Sequence, residues 1–471
     1  MRSRTPKVLH PVCGRAMLAY VLDAADAVTG ARPLVVISPA TTDVRDAFAE
    51  RADFTIQDEP RGTADAVRAA LEALPDGVAE IIILSGDVPL VAAALMAELT
   101  VARRDNDAAM ALISVHMDDP ASLGRVVRDA EGRISRVVEV RDAEPDELAI
   151  DEINSGLYAF DVAWLRERIG DVRPSPATGE LYLPELVPLA RQDGRAVATL
   201  EVEDDGTLLG INDRLQLADA ELEMRLRINE GHMRAGVTIT DPATTFIDAT
   251  VEIAEDVAIE PGVVLRGSTS IARDVLIRTG SQIFDTRIGE RSVVWASVLE
   301  GSVVESDVTI GPFSHVRKDA HISSGVELGN YAEVKNSEVG SGTKSHHFSY
   351  LGDADVGERV NIGAGTITAN YDGVRKHRTR IGDGAFIGSD TILRAPVSVG
   401  EGAVTGAASL VTKDVPDGKM ALGVPARIRE RRPKPEATAE TGSTTQADAA
   451  PNQGASTPPR RPGPVEDAPD R

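Results

Sequence analysis

The stretch Ile247-Asp-Ala-Thr-Val251-Glu-Ile253-Ala-Glu-Asp-Val257-Ala-Ile259 decides the fold, because its isoleucines recur every six positions. The register continues along the chain at Leu265, Ile271, Ile277 and Ile283. In most repeats a valine lies two positions earlier, as at Val263 and Val275. A six-residue period fits neither an α-helix, with about 3.6 residues per turn, nor a plain strand. It is typical of a parallel β-helix, in which each hexapeptide supplies one short strand and one turn.

The period slips once and is interrupted once. Beyond a slip near Val294, the sequence places inward-facing aliphatic residues at Val298, Val304, Ile310, Val316, Ile322, Leu328 and Val334, and again at Ile381, Ile387, Leu393 and Val399. The aperiodic segment 370–380 predicts a loop that leaves the prism. Loops on a rigid scaffold are where functional residues concentrate.

Composition agrees with a narrow prism. Of the 471 residues, 42% are apolar and only 3% are aromatic, as expected where the interior has room for small aliphatic side chains but not for rings. Fifty Lys and Arg residues against 74 Asp and Glu residues give a net charge of -24. This charge argues against a nucleic-acid partner and leaves local basic pockets for small anionic ligands.

The first part of the chain has a different pattern. Continuous apolar runs at 34–37 and 81–84 alternate with helical stretches such as 64–74, which is typical of a parallel α/β sheet. A charged stretch with regularly spaced apolar residues, 214–234, predicts one connecting helix. The predicted organisation is an α/β domain over 1–214, a linker helix over 215–235, a hexapeptide domain over 236–430 and a disordered tail over 431–471, whose composition cannot repay the entropy of folding.

Two further features of the sequence bear on the class of protein: the lack of a membrane-spanning or signal segment, and the cysteine content. No window approaches the about 20 continuous apolar residues needed to span a bilayer, and the first nine residues lack the apolar region of a secretory signal, so we expect a cytoplasmic protein. The single cysteine, Cys13, excludes an intrachain disulfide framework and is interpreted as a buried or idle thiol. In the tail, Pro458-Pro-Arg-Arg-Pro-Gly is either a partner motif or, as we favour, a solvated spacer.

The motif Ile81-Ile-Ile-Leu-Ser-Gly-Asp87 places a carboxylate just beyond a buried strand, at the edge where α/β sheets bind ligands. Mg²⁺ prefers one or two carboxylates together with phosphate oxygens, so Asp87 can hold the metal of a nucleotide. An acidic residue at the end of a strand is also a common turn former. Asp87 alone therefore leaves both interpretations open.

Further motifs carry a resemblance over Met1 to about Asn212: Thr5-Pro-Lys7, Gln57-Asp-Glu-Pro-Arg-Gly62-Thr63, Leu123-Gly124-Arg-Val, Val138-Glu139-Val, Glu152-Ile-Asn154-Ser-Gly156 and Gly210-Ile-Asn212. With Gly86-Asp87, they resemble the sugar-nucleotide pyrophosphorylases in order and spacing. Together with the hexapeptide domain, nearly the whole chain apart from the tail resembles the bacterial family of bifunctional UDP-N-acetylglucosamine pyrophosphorylases/glucosamine-1-phosphate N-acetyltransferases. The resemblance implies a pyrophosphorylase (uridylyltransferase) domain followed by a left-handed β-helix with acetyltransferase activity.

The resemblance also implies the reactions and the first set of ligands. Acetyl-CoA would acetylate glucosamine 1-phosphate, and UTP with Mg²⁺ would then give UDP-N-acetylglucosamine, a cell-wall precursor, and pyrophosphate. Asp87 and Asn212 would bind Mg²⁺, and Lys7 would face the phosphates. The other positions implied to contact UTP and UDP-N-acetylglucosamine are Gln57, Gly62 and Thr63 for the uracil, Gly124, Glu139 and Asn154 for the sugar and its acetamide, and Gly86. A metal and a cation beside the α-phosphate are what nucleotidyl transfer chiefly requires.

The chain departs from the family at its start. Family members begin with a strand and a loop of the form Leu-Ala-Ala-Gly-x-Gly-Thr-Arg-Met, whose backbone N–H groups and arginine cradle the triphosphate, and this chain starts at the final Met of that loop. We therefore expect a native start further upstream, exposed apolar strand edges and impaired uridylyl transfer by the chain as written.

A second group of polar residues interrupts the hexapeptides, in His347-Phe-Ser-Tyr350, Asn361-Ile-Gly-Ala364 and Asn370-Tyr371-Asp-Gly-Val-Arg-Lys376. Acyl transfer to an amine requires the ammonium group to lose a proton, and a histidine with a pKa near ~6.5 is a suitable acceptor. We predict that His347 is this base. The alternative is an idle histidine in a turn, like its neighbour His346.

The resemblance assigns the remaining positions of this domain. Glucosamine 1-phosphate would bind Arg317, Lys335, Tyr350, Asn361 and Lys376, and acetyl-CoA would bind Ala364, Asn370, Tyr371, Ser389, Ala407 and Arg427. The family also implies a homotrimer with acetyl-transfer sites between neighbouring prisms.

Three other functions stay open. The chain could be a monofunctional acetyltransferase with an inactive first domain, or a non-catalytic assembly subunit. It could also be a pyrophosphorylase for a different sugar, although the second group of polar residues would then be unexplained.

Overall fold

The hexapeptide region folds as the periodicity predicts, into a prism of parallel strands. The structure is a computed structural model that describes residues 1–120, 123–203 and 206–431. Each coil of the prism contributes one short strand to each of three sheets.

The first sheet consists of β11 (Thr238–Ile239), β14 (Ala258–Ile259), β17 (Leu276–Ile277), β20 (Val293–Val294), β23 (Thr309–Ile310), β26 (Glu327–Leu328), β29 (Lys344–Ser345), β32 (Asn361–Ile362), β35 (Phe386–Ile387), β38 (Val404–Thr405), β40 (Met420–Gly423) and the antiparallel β41 (Ala426–Arg429). The second consists of β12 (Phe246–Ile247), β15 (Val264–Arg266), β18 (Gln282–Phe284), β21 (Val298–Glu300), β24 (His315–Val316), β27 (Ala332–Lys335), β30 (Ser349–Gly352), β33 (Ile367–Ala369), β36 (Ile392–Arg394) and β39 (Leu410–Val411). The third consists of β13 (Glu252–Ile253), β16 (Ser270–Ile271), β19 (Arg287–Ile288), β22 (Val303–Val304), β25 (His321–Ile322), β28 (Glu338–Val339), β31 (Ala354–Val356), β34 (Thr379–Ile381) and β37 (Val397–Val399).

Aliphatic side chains stack along the inside of the prism. Ile259 pairs in register with Ile277, which in turn pairs with Val294, and all three are buried. Valines two positions before the inward residues, such as Val257 and Val263, are also buried. The core is therefore a set of columns, each built from one equivalent residue per coil.

The prediction for Val298 is wrong. Val298 is only half-buried, whereas Leu299 is fully buried and pairs in register with Ile283 and Val316. The inward residues Ile283 and Ile288 are five positions apart, and Val294 and Val304, the inward residues on either side of Leu299, each lie five positions from it. Turns shortened by one residue keep the side chains stacked but break the six-residue period. The period therefore changes at several turns and not only near Val294.

The first part of the chain is an α/β structure. Its helices are α1 (Met17–Thr29), α2 (Thr42–Phe48), α3 (Thr63–Ala73), α4 (Ala93–Asp105), α5 (Pro145–Leu148), α6 (Val162–Arg168) and α7 (Leu186–Gln192). Its strands are β1 (Pro11–Val12), β2 (Arg15–Ala16), β3 (Leu34–Ile37), β4 (Asp53–Ile56), β5 (Glu80–Ile83), β6 (Met110–His116), β7 (Arg125–Arg128), β8 (Ile134–Val138), β9 (Glu152–Asp161) and β10 (Val197–Glu203). The pairs β3–β4 and β6–β10 are parallel, whereas β9 runs antiparallel to β5, β6 and β7.

Strands β3 and β5 each have an unpaired edge, as do the terminal strands β4, β8 and β10. Within the described residues, β3 pairs only with β4, and β5 pairs only with β9. The isoleucines of β5, which would be covered in an interior strand, are only half-buried. The side chains of β5 are therefore partly covered, although one edge of the strand has no partner among the described residues.

Helix α8 (Arg214–Arg234) connects the two parts over the predicted segment. The carboxylate of Asp213 caps it by accepting hydrogen bonds from the backbone of Leu215 and Gln216, both at 2.9 Å. Near its other end, the buried amide of Asn229 donates to the carbonyl oxygens of Pro242 and Thr245 at 2.8 and 3.0 Å, which ties the helix to the start of the prism.

Residues Met1–Glu430 form one compact unit. The predicted boundaries within it stay predictions, and the predicted tail, with its proline-rich motif, lies outside the described residues apart from Arg431. Cys13 is buried as expected, and burial raises the pKa of its thiol to about 12. Among the described helices, none is long and apolar enough to cross a membrane.

The register inside the prism can be tested at neighbouring residues. We expect Leu299→Ala to lower the free energy of unfolding by about 3 kcal/mol, because it leaves a cavity in a close-packed column. Val298→Ala, the matched control, should cost less than about 1 kcal/mol because the side chain lies on the outer surface. Chemical denaturation measures both changes, and equal losses would contradict the observed register.

Candidate functional sites

The two predicted magnesium ligands and the lysine predicted to face the phosphates converge in the first domain. The Nζ atom of Lys7 contacts a carboxylate oxygen of Asp87 and donates to Oδ1 of Asn212 at 2.9 Å. The backbone N–H of Ile211 donates to the carbonyl oxygen of Asp87 at 3.0 Å, which holds the segment carrying Asn212 beside the strand end. A Cβ atom on Gly210 would lie 3.3 Å from the Asp87 carboxylate, so a small residue lets the two segments approach closely.

This donor set fits a magnesium ion shared with phosphates. A carboxylate oxygen of Asp87 and the amide oxygen of Asn212, from two segments, both contact the Lys7 ammonium group, and hard divalent cations prefer oxygen ligands of this kind. Among the described residues, no group of three or more His, Cys, Asp or Glu side chains surrounds a possible ion. Phosphate oxygens or water would therefore have to complete the coordination.

The residues predicted to contact uracil cluster at the start of α3. The Gln57 amide donates to Asp65 at 2.9 Å and to the carbonyl oxygen of Gly62 at 3.2 Å. Gly62 has φ = 115°, and a Cβ atom there would lie 2.5 Å from the carbonyl oxygen of Leu181, so glycine is required. The hydroxyl of Thr63 accepts from the backbone of Leu183 at 2.9 Å.

The residues predicted to contact the sugar also come together. The backbone N–H of Asn154 donates to the carbonyl oxygen of Gly124 at 2.9 Å, and a Cβ atom on Gly124 would lie 3.2 Å from a carboxylate oxygen of Glu139. Burial raises the pKa of Glu139, and the nearby carboxylates of Asp142 and Glu180 raise it further. The cluster thus combines a carboxyl group of raised pKa with an amide side chain.

Sequence analysis missed Tyr158 as a partner of this cluster. The Asn154 amide donates to its hydroxyl at 2.6 Å, which fixes the orientation of that amide. Both residues lie on β9, where they pair with Ser114 and Leu112 of β6 across an irregularity in the register, so the simple alternation of a strand gave no signal for this contact. Gly86 packs beneath the site, where a Cβ atom would lie 3.4 Å from Leu18 and from Val8.

In the prism, four predicted residues occupy one corner of successive coils, between the first and second sheets. The backbone N–H of Gly365 donates to the carbonyl oxygen of Phe348, that of Asp390 to the carbonyl oxygen of Ala364, and that of Ala408 to the carbonyl oxygen of Ser389. These bonds between coils place the four predicted residues at equivalent positions of successive coils. This corner column consists of His347, Ala364, Ser389 and Ala407. It presents an imidazole at one end and small side chains beyond it.

The two adjacent histidines differ. The Nε2 atom of His346 lies 2.6 Å from a carboxylate oxygen of Glu327, within hydrogen-bond distance. His347 is exposed, and its imidazole has no hydrogen bond to any described residue. The base predicted from sequence is therefore the one whose nitrogens are available to a ligand.

Beside this corner, Tyr350 and Asn370 are in contact. The Asn370 amide lies 3.4 Å from the Tyr350 hydroxyl and donates to the carboxylate of Asp353. Asp353 also accepts from the amide of Asn336 at 2.5 Å. Sequence analysis missed Asp353, which has positive φ and is buried.

Arg317 and Lys335 follow each other on the outer surface next to Tyr350. The backbone N–H of Arg317 donates to the carbonyl oxygen of Val334 at 2.8 Å, so the two cations lie on neighbouring coils. Arg317 also forms an ion pair with Glu333 at 2.8 Å. An anion placed here would meet two positive charges on adjacent strands.

The structure does not bring the other predicted residues of this domain to His347. Asn361 is exposed on β32 of the first sheet, on the far side of the corner from Tyr350. Tyr371 and Lys376 pair with each other in the projecting loop, and Arg427 lies exposed on β41. These residues surround different parts of the prism surface.

Comparisons with known proteins agree on one family. A family model described as a MobA-like NTP transferase domain matches residues 1–143. The bifunctional protein GlmU of Shouchella clausii is 39% identical over 430 residues, covering 91% of this chain and 94% of the relative. The GlmU of Brevibacillus brevis is 40% identical over 422 residues, with 90% and 92% covered, and that of Pelobacter propionicus is 41% identical over 425 residues, with 90% and 92% covered.

The elevated pKa of Glu139 gives a pH test of the sugar cluster. Because its pKa is raised on folding, ionisation of Glu139 disfavours the folded state, and stability falls as pH rises above the ordinary carboxyl pKa. We expect Glu139→Gln to raise the melting temperature at pH 8 by a few degrees, and to change it little at pH 4. Glu131→Gln, at an exposed glutamate, is the control; a gain independent of pH would contradict the prediction.

Proposed function

The chain belongs to the family of bifunctional GlmU proteins, and we propose that it makes UDP-N-acetylglucosamine by two transfers at two separate sites. It is a bifunctional transferase in the synthesis of this nucleotide sugar. Acetyl-CoA acetylates the amine of glucosamine 1-phosphate, and UTP then supplies UMP to the phosphate of the product with release of pyrophosphate. The observation that carries the acetyl-transfer step is the exposed, unpaired His347 at the end of a column of small residues.

In the first step, His347 accepts a proton from the ammonium group of glucosamine 1-phosphate. The freed amine attacks the carbonyl carbon of the thioester, the C–N bond forms, and the C–S bond breaks to release CoA as a thiolate that takes up a proton. Ala364, Ser389 and Ala407 leave room for the pantetheine arm to lie along the corner column. Asn370, Tyr371 and Arg427 are further acetyl-CoA contacts in this proposal, with Arg427 facing the CoA phosphates.

The sugar phosphate is held beside the corner. Arg317 and Lys335 attract the phosphate dianion in a chain that is otherwise strongly acidic, and Lys376 adds a third positive charge. Tyr350 and Asn361 orient the sugar by hydrogen bonds. Charge and position, more than burial, therefore select this substrate.

The second step uses the first domain. Gln57, Gly62 and Thr63 hold the uracil, while Gly86, Gly124, Glu139 and Asn154 hold the acetylated sugar. Lys7 faces the α-phosphate, where negative charge grows as the sugar phosphate oxygen attacks. Asp87 and Asn212 would hold Mg²⁺, which when bound neutralises charge on the phosphates.

A homotrimer is part of this proposal. Phe313, Tyr331 and Phe348 form an aromatic column at the same corner as His347, each more than half exposed, and the rings of Phe313 and Tyr331 stack with centroids 5.4 Å apart. Exposed stacked rings are typical of an interface. Asn361 and Tyr350 lie on different sheets of one prism, and in this proposal a neighbouring copy supplies one of the two contacts.

A second candidate is a monofunctional acetyltransferase. The unpaired edges of β3 and β5 favour this candidate, because they leave backbone groups of the first domain without a strand partner near the phosphate site. A non-catalytic subunit has less support, since it would need neither an unpaired His347 nor cations beside it.

Mass spectrometry of the products distinguishes these functions. The purified chain is mixed with glucosamine 1-phosphate, acetyl-CoA, UTP and Mg²⁺. UDP-N-acetylglucosamine supports both steps, whereas accumulation of N-acetylglucosamine 1-phosphate supports the monofunctional candidate. Unchanged substrates would refute both.

Substitution of the base should affect one reaction only. We expect His347→Ala to slow acetyl transfer by about 10²–10⁴-fold, because the amine then lacks its proton acceptor, with no effect on uridylyl transfer. His346→Ala is the matched control, since that histidine is paired with Glu327 and should be dispensable. Asp87→Ala should give the reciprocal pattern; loss of both activities in either variant would show that the two sites are not independent.

The assembly can be measured separately. We expect light scattering at micromolar concentration to give three times the chain mass, and Phe313→Ser/Tyr331→Ser to shift the protein towards monomer, because the stacked rings would leave the interface. Phe246→Ser, at an exposed aromatic residue on the first coil, should leave the trimer intact. A monomeric parent protein would contradict the proposed assembly.

A further inference from the structure

One hydroxyl interrupts the inward column of the second sheet. In the described residues this column is otherwise aliphatic and buried, and runs through Ile247, Leu265, Ile283, Leu299, Val316, Val334, Leu351, Thr368, Leu393 and Val411. Thr368 is fully buried. Burying a hydroxyl costs free energy unless it is hydrogen-bonded, so this position calls for a specific partner.

The closest partner is the backbone of Gly352, one coil earlier, and the hydroxyl also lies 3.3 Å from the backbone carbonyl oxygen of Tyr350. The N–H of Gly352 donates to the Thr368 hydroxyl at 2.8 Å, and that hydroxyl donates to the carbonyl oxygen of Gly352 at 2.9 Å. Strand β30 pairs with β27 at four positions but with β33 only at Tyr350. At Gly352 a side chain thus replaces the backbone ladder to the next coil.

Gly352 in turn leaves room for Tyr350. A Cβ atom on Gly352 would overlap with the hydroxyl and ring of Tyr350, so the phenol lies directly over the glycine. The same hydroxyl lies 3.4 Å from the amide of Asn370. Three consecutive features, an interior hydroxyl, a glycine and a phenol, therefore lie one above another from the core to the surface.

We propose that Thr368 is a positioning residue, which holds Gly352 in the conformation that directs Tyr350 towards the phosphorylated amino sugar. This inference rests on the proposed function for the identity of the substrate, and Gly352 is the link through which Thr368 acts. Thr368 does not touch the substrate itself. Its hydroxyl sets how the tyrosine is presented, and the aliphatic residue found at this position in other coils would not do so.

Kinetics of acetyl transfer provide the first test. Thr368→Val keeps the shape and removes the hydroxyl, and we expect it to raise KM for glucosamine 1-phosphate roughly tenfold while KM for acetyl-CoA and uridylyl transfer stay unchanged. Thr368→Ser should restore KM. Thr286→Val is the matched control, because Thr286 is a buried hydroxyl that donates to Phe284 at 2.8 Å in a coil remote from Tyr350.

A spectroscopic test separates this inference from the proposed function. In fluorotyrosine-labelled protein, the fluorine NMR signal of Tyr350, assigned with Tyr350→Phe, should shift in Thr368→Val and not in Thr286→Val. An unchanged signal would overturn the positioning role whatever the activity. A shifted signal with unchanged KM would instead refute the assignment of Tyr350 to the sugar phosphate.

A double-mutant cycle tests the link through glycine. Gly352→Ala should raise KM for glucosamine 1-phosphate in the parent protein but have little further effect in a Tyr350→Ala background, since the methyl group then has no phenol to displace. Equal effects in both backgrounds would show that Gly352 does not act through Tyr350.

Discussion

Inside the narrow prism, aliphatic side chains stack in columns, and each coil supplies one side chain to each column. This stacking is the constraint on which the rest of the structure depends. Each column, such as that through Ile259, Ile277 and Val294, is continuous because equivalent residues must pair in register. Little can change inside without breaking that register. Chemistry is therefore confined to corners and outer surfaces, and it is at one corner that His347 and the small residues beyond it are found.

The same constraint explains what the sequence could predict. The six-residue period and the composition were enough to predict the β-helix. The helix over 214–234 was evident from its charges and leucines. The inward position of Leu299 was not predictable from spacing, because shortened turns change the count while preserving the stacking. A local turn length leaves no periodic signal until the neighbouring coils are known.

Contacts between distant parts of the chain were predictable only as residue types. Asp87 and Asn212 were identified through motifs, but their common contact with Lys7 depends on how the segment before α8 returns to the strand end. Tyr158 was missed because an aromatic residue in a buried strand is ordinarily a core residue, and only the orientation of Asn154 reveals its second role. In the prism, the residues of the corner column were assigned through the family resemblance, whereas the support beneath Tyr350 was not identified from the sequence.

Hydroxyl residues at the inward strand positions lie near the candidate acetyl-transfer residues, whereas buried hydroxyls two positions earlier, such as Thr269, Ser281 and Thr286, occur along the whole prism. In the described coils, the inward strand positions, which form the columns through Ile259, Leu265 and Ile271, carry three hydroxyl residues: Ser345 just before His347, Thr368 beneath Tyr350, and Thr405 two positions before Ala407. Each is hydrogen-bonded, Ser345 to Ser349 at 2.8 Å and Thr405 to the backbone of Gly388 at 2.9 Å. A hydroxyl packs less favourably than isoleucine but fixes the local backbone direction, which an aliphatic side chain cannot do. The coils that carry the site therefore exchange some hydrophobic burial for directional contacts, and this exchange is how a repetitive scaffold can hold a non-repetitive arrangement of side chains.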